Sequence, residues 1–270
     1  MKRRIPCRRT PAILWLVLTA TATTGFVNAQ TQDDPRRSVA PGPVSAWRGE
    51  ENALDRNEKN SGTLIGGVSF VPAMAGQGFR FNGVDGAVNV PDSESLKITG
   101  SLTISAWLHV EAFPSAEQGG AMILFRGDDR GGMDPYHLSV NPSGRLMFVV
   151  MSPNNEAAEV TAPLRAGRFV FVTATLDAKT GRMRLYQNGA IVAETTMTFG
   201  PLLGDLDAGA YPGVGIGNHA GQGVSGFRYP FRGIIDELEL YDRALSPTEV
   251  RAAYQAWLDV PALSRSTAKR

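Results

Sequence analysis

Cysteine is all but absent. The 270 residues hold one, Cys7, and it precedes the apolar run of residues 12–27. A lipidation site would need a cysteine at the far end of that run, so Cys7 does not qualify. A chain cleaved behind the run carries no thiol, which excludes disulfides, thiolate catalysis and cysteine-ligated zinc. Such a domain must be held by its core, and roughly 215 residues suffice for that. Histidine is scarce as well. His109, His137 and His219 are the three present, and they lack the short His-x-x-x-His spacing of a zinc site. There is no Gly-x-Ser-x-Gly elbow for a serine nucleophile. Gly213-Val214-Gly215-Ile216-Gly217 precedes no helix, so it is not a phosphate-binding loop. The acidic glycine loop from Gly127 through Asp128, Asp129 and Asp134 lacks the EF-hand ladder and its closing Glu, and reads as a solvated strand connection.

Excess charge and a long apolar span are also missing. The chain has 27 basic and 26 acidic residues. Its first ten residues carry Lys2, Arg3, Arg4, Arg8 and Arg9 and no acid, and the apolar run behind them ends in Val27-Asn28-Ala29. That is the layout of a secretory signal peptide with Gln30 as the new first residue. Thr19, Thr21, Thr23 and Thr24 make the run short and polar for a spanning helix, although an uncleaved anchor is the alternative. Removal of residues 1–29 leaves 22 basic and 26 acidic residues, a net charge of −4. No footprint for nucleic acid or for an anionic membrane remains. The expected location is secreted, periplasmic or cell-surface.

What the chain does have is punctuation: 30 Gly and 17 Pro. Residues 30–43 are polar and proline-rich and read as a linker. Residues 44–257 form the folded domain, and residues 258–270 a flexible tail. No internal repeat is visible. Alternation of period two marks strands in Gly78-Phe79-Arg80-Phe81 and Ala87-Val88-Asn89-Val90. In residues 102–110, Leu102, Ile104, Ala106, Leu108 and Val110 share one face, and Thr103, Ser105, Trp107 and His109 the other. Further strands are expected over residues 121–125, 136–140, 146–151, 169–176, 183–187 and 234–241. Asn188-Gly189 suits the two positive φ angles of a type I′ hairpin turn. One helix is expected after Ser246-Pro247-Thr248-Glu249, which places a capping Ser, then Pro at the first position and Glu at the third. Val250, Tyr254 and Trp257 recur at helical spacing and face the sheet. Many short strands with one terminal helix make an all-β protein of two packed antiparallel sheets.

The ordered pieces resemble the LamG-like jelly-roll family of the concanavalin A-like superfamily. They are Trp47 with Gly49-Glu50-Glu51-Asn52 and Asp55; Gly62-Thr63-Leu64; Phe81-Asn82-Gly83-Val84-Asp85; Val88-Asn89-Val90-Pro91-Asp92-Ser93; Leu102-Thr103-Ile104-Ser105-Ala106-Trp107; Thr180-Gly181-Arg182; and Leu185-Tyr186-Gln187-Asn188-Gly189. The strongest are Phe231-Arg232-Gly233-Ile234-Ile235-Asp236-Glu237-Leu238 and Tyr241-Asp242-Arg243-Ala244-Leu245-Ser246, with Glu249. Two positions depart: Arg168-Phe169 stands where the family often has Trp-His, and Gly86 where it often has Asp. The resemblance implies a jelly-roll sandwich with one short C-terminal helix, used for binding and adhesion more often than for catalysis. It also implies one structural calcium, which Asp236 would hold; Glu50 and the Gly83 carbonyl are candidates for its further oxygen donors, and the alternative is that Asp236 only accepts backbone hydrogen bonds.

Asp236-Glu237-Leu238-Glu239 is the densest carboxylate group. On a regular strand Glu237 and Glu239 share a face and Asp236 opposes them. Superfamily glycosidases carry Glu-x-Asp-x-Glu patterns with carboxylates about 5 Å apart; here Ile234 replaces the first Glu, so no catalytic residue is assigned. A glycoside hydrolase or polysaccharide lyase is the alternative class. Trp107 reads either as a packed side chain or as a stacking platform for a sugar. The second reading groups Trp107, His109, Tyr136, His137 and Tyr229 as a carbohydrate site for a polysaccharide or cell-surface glycan. The rival partner is another envelope protein, held through aromatic anchors between residues 211 and 231.

Overall fold

The computed structural model describes residues 41–130, 134–219 and 228–258. The chain separates into two units, residues 1–34 and 35–270, and the described residues belong to the second. The expected signal segment, most of the linker and the tail lie outside the described residues. Along the chain run β1 (Ser45–Trp47), β2 (Thr63–Ile65), β3 (Val68–Pro72), β4 (Gln77–Asn82), β5 (Ala87–Pro91), β6 (Leu102–Ala112), β7 (Ala121–Gly127), β8 (Tyr136–Val140), β9 (Arg145–Met151), β10 (Ala157–Pro163), β11 (Phe169–Asp177), β12 (Arg182–Gln187), β13 (Ala190–Thr196), β14 (Gly213–Ile216), β15 (Arg232–Tyr241) and α1 (Pro247–Leu258). One sheet is ordered β13-β12-β11-β6-β15-β4-β3, with β1 also on β15. The other is ordered β10-β9-β8-β7-β14-β5-β2. All pairings are antiparallel, which gives the expected jelly-roll sandwich. Among the described residues no helix is long and apolar enough to cross a membrane.

The alternation of β6 does what its pattern demands. Leu102, Ile104, Ala106, Leu108 and Val110 join the core between the sheets. Facing them from the other sheet are Ile123, Leu124, Leu138, Phe148, Val150 and Ile216. The opposite face of β6 is buried too, because α1 lies over it: Trp107 and Phe171 pack against Tyr254 and Trp257. The helix begins as its sequence specifies. Glu249 N–H donates to Ser246 Oγ at 3.3 Å, and Ser246 N–H donates to Glu249 Oε2 at 2.7 Å. Both orphan donors of the helix start are thereby satisfied. Val250 packs on Tyr186, Tyr241 and Leu245. The Asn188-Gly189 turn has φ of 50° and 78°, the two positive angles of the expected hairpin. Strands β1, β2, β3, β10 and β14 are not among the strands expected from the sequence. The three alanines and one proline of Ala157–Pro163 give β10 too little apolar contrast to register.

β15 departs from regular alternation, and this corrects the expected facing of its carboxylates. Its neighbour on one side changes from β4, at residues 232–235, to β1, at residues 238–240. At that change a bulge interrupts the pairing with β6 between Asp236 and Glu239, and Glu237 takes φ 49°. The extra residue shifts the phase. Asp236 and Glu239, not Glu237 and Glu239, therefore share the outer face, opposite Trp107 and Ser105.

Candidate functional site

The outer face of the seven-stranded sheet carries one rung of directly opposed residues. It runs Thr63, Asn89, Gly215, Phe125, His137, Val149, Glu159 across β2, β5, β14, β7, β8, β9 and β10. A bulge in β7 between Met122 and Leu124 sends both Ile123 and Leu124 into the core, so Met122 and Phe125 point outward. Phe125 sits between two histidines: the His219 ring centroid is 4.1 Å away, and the His137 ring is stacked at 6.3 Å and 26°. Tyr229 stands 6.4 Å beyond His219 and packs on Met122 and Phe125. Gly127 makes room for this arrangement. A Cβ there would lie 2.4 Å from the Phe125 ring and 2.9 Å from Asp134 Oδ1. Asn218 Oδ1 accepts from the backbone N–H of His219 and of Tyr229, each at 2.9 Å, and so fixes both residues against the sheet.

The cluster holds more acceptors than donors. Among the described residues, both carboxylate oxygens of Asp129 and Asp134 Oδ1 are buried without a hydrogen-bond donor, and His137 Nδ1 is buried without a partner. His219 Nδ1 lies 3.8 Å from Asp129 Oδ1. Burial, reinforced by the Asp128 charge, raises the Asp134 carboxyl to about 7. Burial, reinforced by His219, lowers His137 to about 4, so His137 is neutral near neutral pH. Asp128 is the satisfied member. Burial alone would raise its carboxyl, but the Arg130 guanidinium and the backbone N–H groups of Asp207 and Arg130 hold it below the usual range. Buried acceptors without donors are costly. A ligand's hydroxyl or amine donors would reach them only if the side chains that cover them moved aside.

The five side chains grouped by the sequence reading do not meet. His137 and Tyr229 share the cluster just described. Tyr136 points the other way from its neighbour, into the core, with its hydroxyl donating to Leu96 O at 2.7 Å. Trp107 and His109 lie on the outer face of the eight-stranded sheet. Trp107 is 3% exposed, its ring 5.3 Å from Phe171 and 6.4 Å from Trp257. It is therefore a packed side chain under α1 and not a stacking platform. The alternation of β6 placed it correctly away from the core, but the helix that covers it is more than a hundred residues distant in sequence. His109 is half-buried beside Phe169, with ring centroids 5.2 Å apart. Phe125, Asp129, Asp134 and His219 were read as strand, solvated loop and isolated histidine. The β7 bulge, and the pairing of β14 beside β7 after the intervening strands β8 to β13, bring them together. The density of acids around Gly127 was the available signal.

The model of the concanavalin A-like lectin/glucanases superfamily matches residues 82–251. The chain belongs to that superfamily. No curated protein matches its sequence. Among solved structures, the binding domain of Paraclostridial Mosquitocidal Protein 1 is similar at TM-score 0.64 and 14% identity, over 81% of this chain and 53% of that one. The binding domain of Botulinum Neurotoxin DC in complex with SialylT is similar at TM-score 0.59 and 14% identity, over 80% and 52%. Domain 4 of AbnA, an extracellular arabinanase from Geobacillus stearothermophilus solved with arabinotriose, is similar at TM-score 0.58 and 19% identity, over 79% and 98%. The chain thus spans about half the toxin binding domains, 53% of the first, and nearly all of the arabinanase domain. At these identities the likeness shows the fold alone.

In this superfamily member the calcium expectation meets only part of its donor set. Asp236 is fully buried; its Oδ2 accepts from Ala75 N–H at 3.0 Å, and its Oδ1 has no partner. Burial, then the neighbouring Glu237 charge, pushes its carboxyl well above the ordinary range; the backbone N–H groups of Ala75 and Met74 pull the other way, and Glu50 adds a smaller upward push. Two hard-oxygen donors therefore face one region, beside the turn that ends in Gln77, whose N–H donates to Glu50 Oε2 at 3.3 Å. Gly83 does not belong there. Ile235 pairs with Phe79 and Arg232 with Asn82, which puts Asp236 beside Gly78; Gly83 is five residues on, about 17 Å along the strand. Among the described residues no three His, Cys, Asp or Glu side chains are arranged to hold a metal ion. Any ion at Asp236 would need backbone oxygens or water to complete its shell.

Proposed function

We propose that this is an exported, non-catalytic module that binds glycans through the outer face of its seven-stranded sheet. The carrying observation is the half-buried pair His137 and Tyr229, which stand on the buried rings of Phe125 and His219 with Asp129 and Asp134 beside them, so that His137 and Tyr229 are the rings a sugar would meet. Sugar hydroxyls supply donors to carboxylate oxygens once the side chains covering them move aside, and the C–H faces of sugar rings pack on aromatic side chains. The arabinotriose held by the arabinanase domain supports the reading by analogy. So do the basic, then apolar, N-terminal residues, which favour export to where glycans are met. The protein-adhesion alternative loses an anchor, because Phe231 is fully buried.

The test is a glycan array with the chain from Gln30 onward, with and without calcium, repeated with Tyr229→Ala and Asp129→Asn. Retention of one glycan class, lost in both variants, is the expected result. Equal retention by wild type and both variants would remove the site. The module is proposed to lack turnover on β-glucans, alginate and agars; turnover abolished by Glu237→Gln would make it an enzyme.

The same reading includes one calcium ion, proposed at Asp236 with Glu50. Its support is the buried, unpartnered Asp236 Oδ1 in an acidic setting. There the ion would offset the charge of these carboxylates and tie the bulge of β15 to the turn beyond β3.

A further inference from the structure

The outer face of the seven-stranded sheet has a second feature, on the opposite side of β14 from His137. Between β2, β5 and the start of β14 it opens into a groove of about 340 Å³. Thr63, Ile65, Asn89, Pro91, Tyr211 and Pro212 are the lining residues that matter, and none of the lining side chains is a carboxylate or a cation.

Tyr211 is 48% exposed. Its backbone lies in the left-handed region at φ 52° and ψ 59°, an uncommon conformation for a bulky residue. The backbone around it is held from several sides. Asp207 Oδ1 accepts from Gly209 N–H at 2.8 Å, and Asp207 N–H donates to Asp128 Oδ2 at 2.9 Å. Ala210 O accepts from Asp129 N–H at 2.8 Å. Beyond Pro212, Gly213 enters the sheet opposite Pro91. An aromatic ring is thus presented to solvent on a braced, strained residue, an arrangement that folding alone does not reward.

The groove and the cluster around Phe125 lie on one rung of the sheet. Thr63 pairs with Asn89, Asn89 with Gly215, and Gly215 with Phe125. Gly215 has no side chain to stand between the two. Four strand spacings separate Thr63 from His137, about 19 Å at 4.7–4.9 Å each.

We propose that the groove is a subsite for one uncharged sugar ring stacked on Tyr211, and that the whole face holds an extended, neutral oligosaccharide running across the strands. The Tyr211 ring takes the C–H face, and the exposed Thr63 hydroxyl takes a hydroxyl group. An anionic sugar finds no cation in the groove and meets Asp129 and Asp134 at the far end, so it is disfavoured throughout. The inference rests on the glycan reading above and narrows its ligand class.

Amide spectra of the ¹⁵N-labelled chain, titrated separately with arabinotriose, cellotetraose, xylotetraose and the anionic 3′-sialyllactose, test it. At least one neutral probe is expected to shift Thr63, Asn89 and Gly213, and sialyllactose to shift none of them. Tyr211→Ala should weaken that binding about tenfold, and Tyr211→Phe should keep it within about threefold. Both variants should melt as wild type does, since the side chain is exposed. Shifts at Phe125 and His137 without shifts at Thr63, Asn89 and Gly213 would overturn the groove and leave the glycan reading standing. Shifts at the groove alone would keep the subsite and remove the site at His137. Stronger binding of sialyllactose than of any neutral probe would overturn the neutral ligand, and no shift with any probe would overturn both readings.

Discussion

Asp236 stands directly opposite Trp107 in the register between β15 and β6, and both side chains leave the sheet on its outer side. Each keeps a buried polar atom without a partner, Oδ1 on the acid and Nε1 on the indole. The pair marks the edge of the apolar seam beneath α1, where Trp107, Phe171, Tyr254 and Trp257 meet.

Trp107→Ala is expected to cost about 3–5 kcal/mol, the range for emptying a buried aromatic site. Urea unfolding followed by circular dichroism measures it. Glycan retention by the fraction that still folds should be unchanged, since the ring faces away from the seven-stranded sheet. A variant of wild-type stability that no longer retains glycan would restore Trp107 as a platform.

The capping pair of α1 gives a milder prediction. Ser246→Ala removes the acceptor of Glu249 N–H and should cost about 1 kcal/mol. Because α1 roofs Trp107, the same variant should speed proton exchange at the Trp107 indole N–H. Unchanged stability and exchange would mean that α1 is held by Trp257 and Val250 packing alone.

Local chemistry was legible and long-range placement was not. The alternation of residues 102–110, the Asn188-Gly189 turn and the Ser246 cap each act within a few residues, and each emerged as read. The order of motifs from Trp47 to Glu249 carried the fold. The site failed for three physical reasons. Period-two counting assumes an unbroken strand, and bulges in β7 and β15 change the facing of Phe125 and Asp236. Burial of an outward face depends on what crosses it, and the α1 residues over Trp107 arrive from the far end of the chain. Grouping Tyr136 with His137 overlooked that adjacent strand residues point to opposite faces.

Calcium at Asp236 predicts a melting temperature lowered by EDTA and restored by calcium. At 100 times Kd, an ion contributes about 2.7 kcal/mol, and a domain of this size shifts by about 2–4 °C per kcal/mol. Asp236→Ala should abolish the EDTA response. A wild-type melting temperature indifferent to both EDTA and calcium would leave the resemblance without its ion.

The last prediction concerns acid and base behaviour at the cluster around Phe125, where two groups pull stability in opposite directions. Asp134 titrates near 7 in the fold against an ordinary 3.8. The folded chain holds that proton more tightly than the unfolded one, so the contribution favouring the fold is full below about pH 4 and is lost as pH rises toward 7. His137 titrates near 4 in the fold against an ordinary 6.5. Its contribution is full above pH 6.5 and is lost as pH falls toward 4, where the unfolded chain takes up a proton that the fold resists. Asp134→Asn should therefore raise the melting temperature at pH 8 and change it little at pH 4. His137→Asn should flatten the decline between pH 6.5 and 4 and leave the alkaline side alone. Melting curves across pH 4–8 for wild type and both variants separate the two. If Asp134→Asn lowered stability at pH 8, the carboxylate would have to be stabilised there as an anion, and the acceptor excess assigned to this face would be wrong.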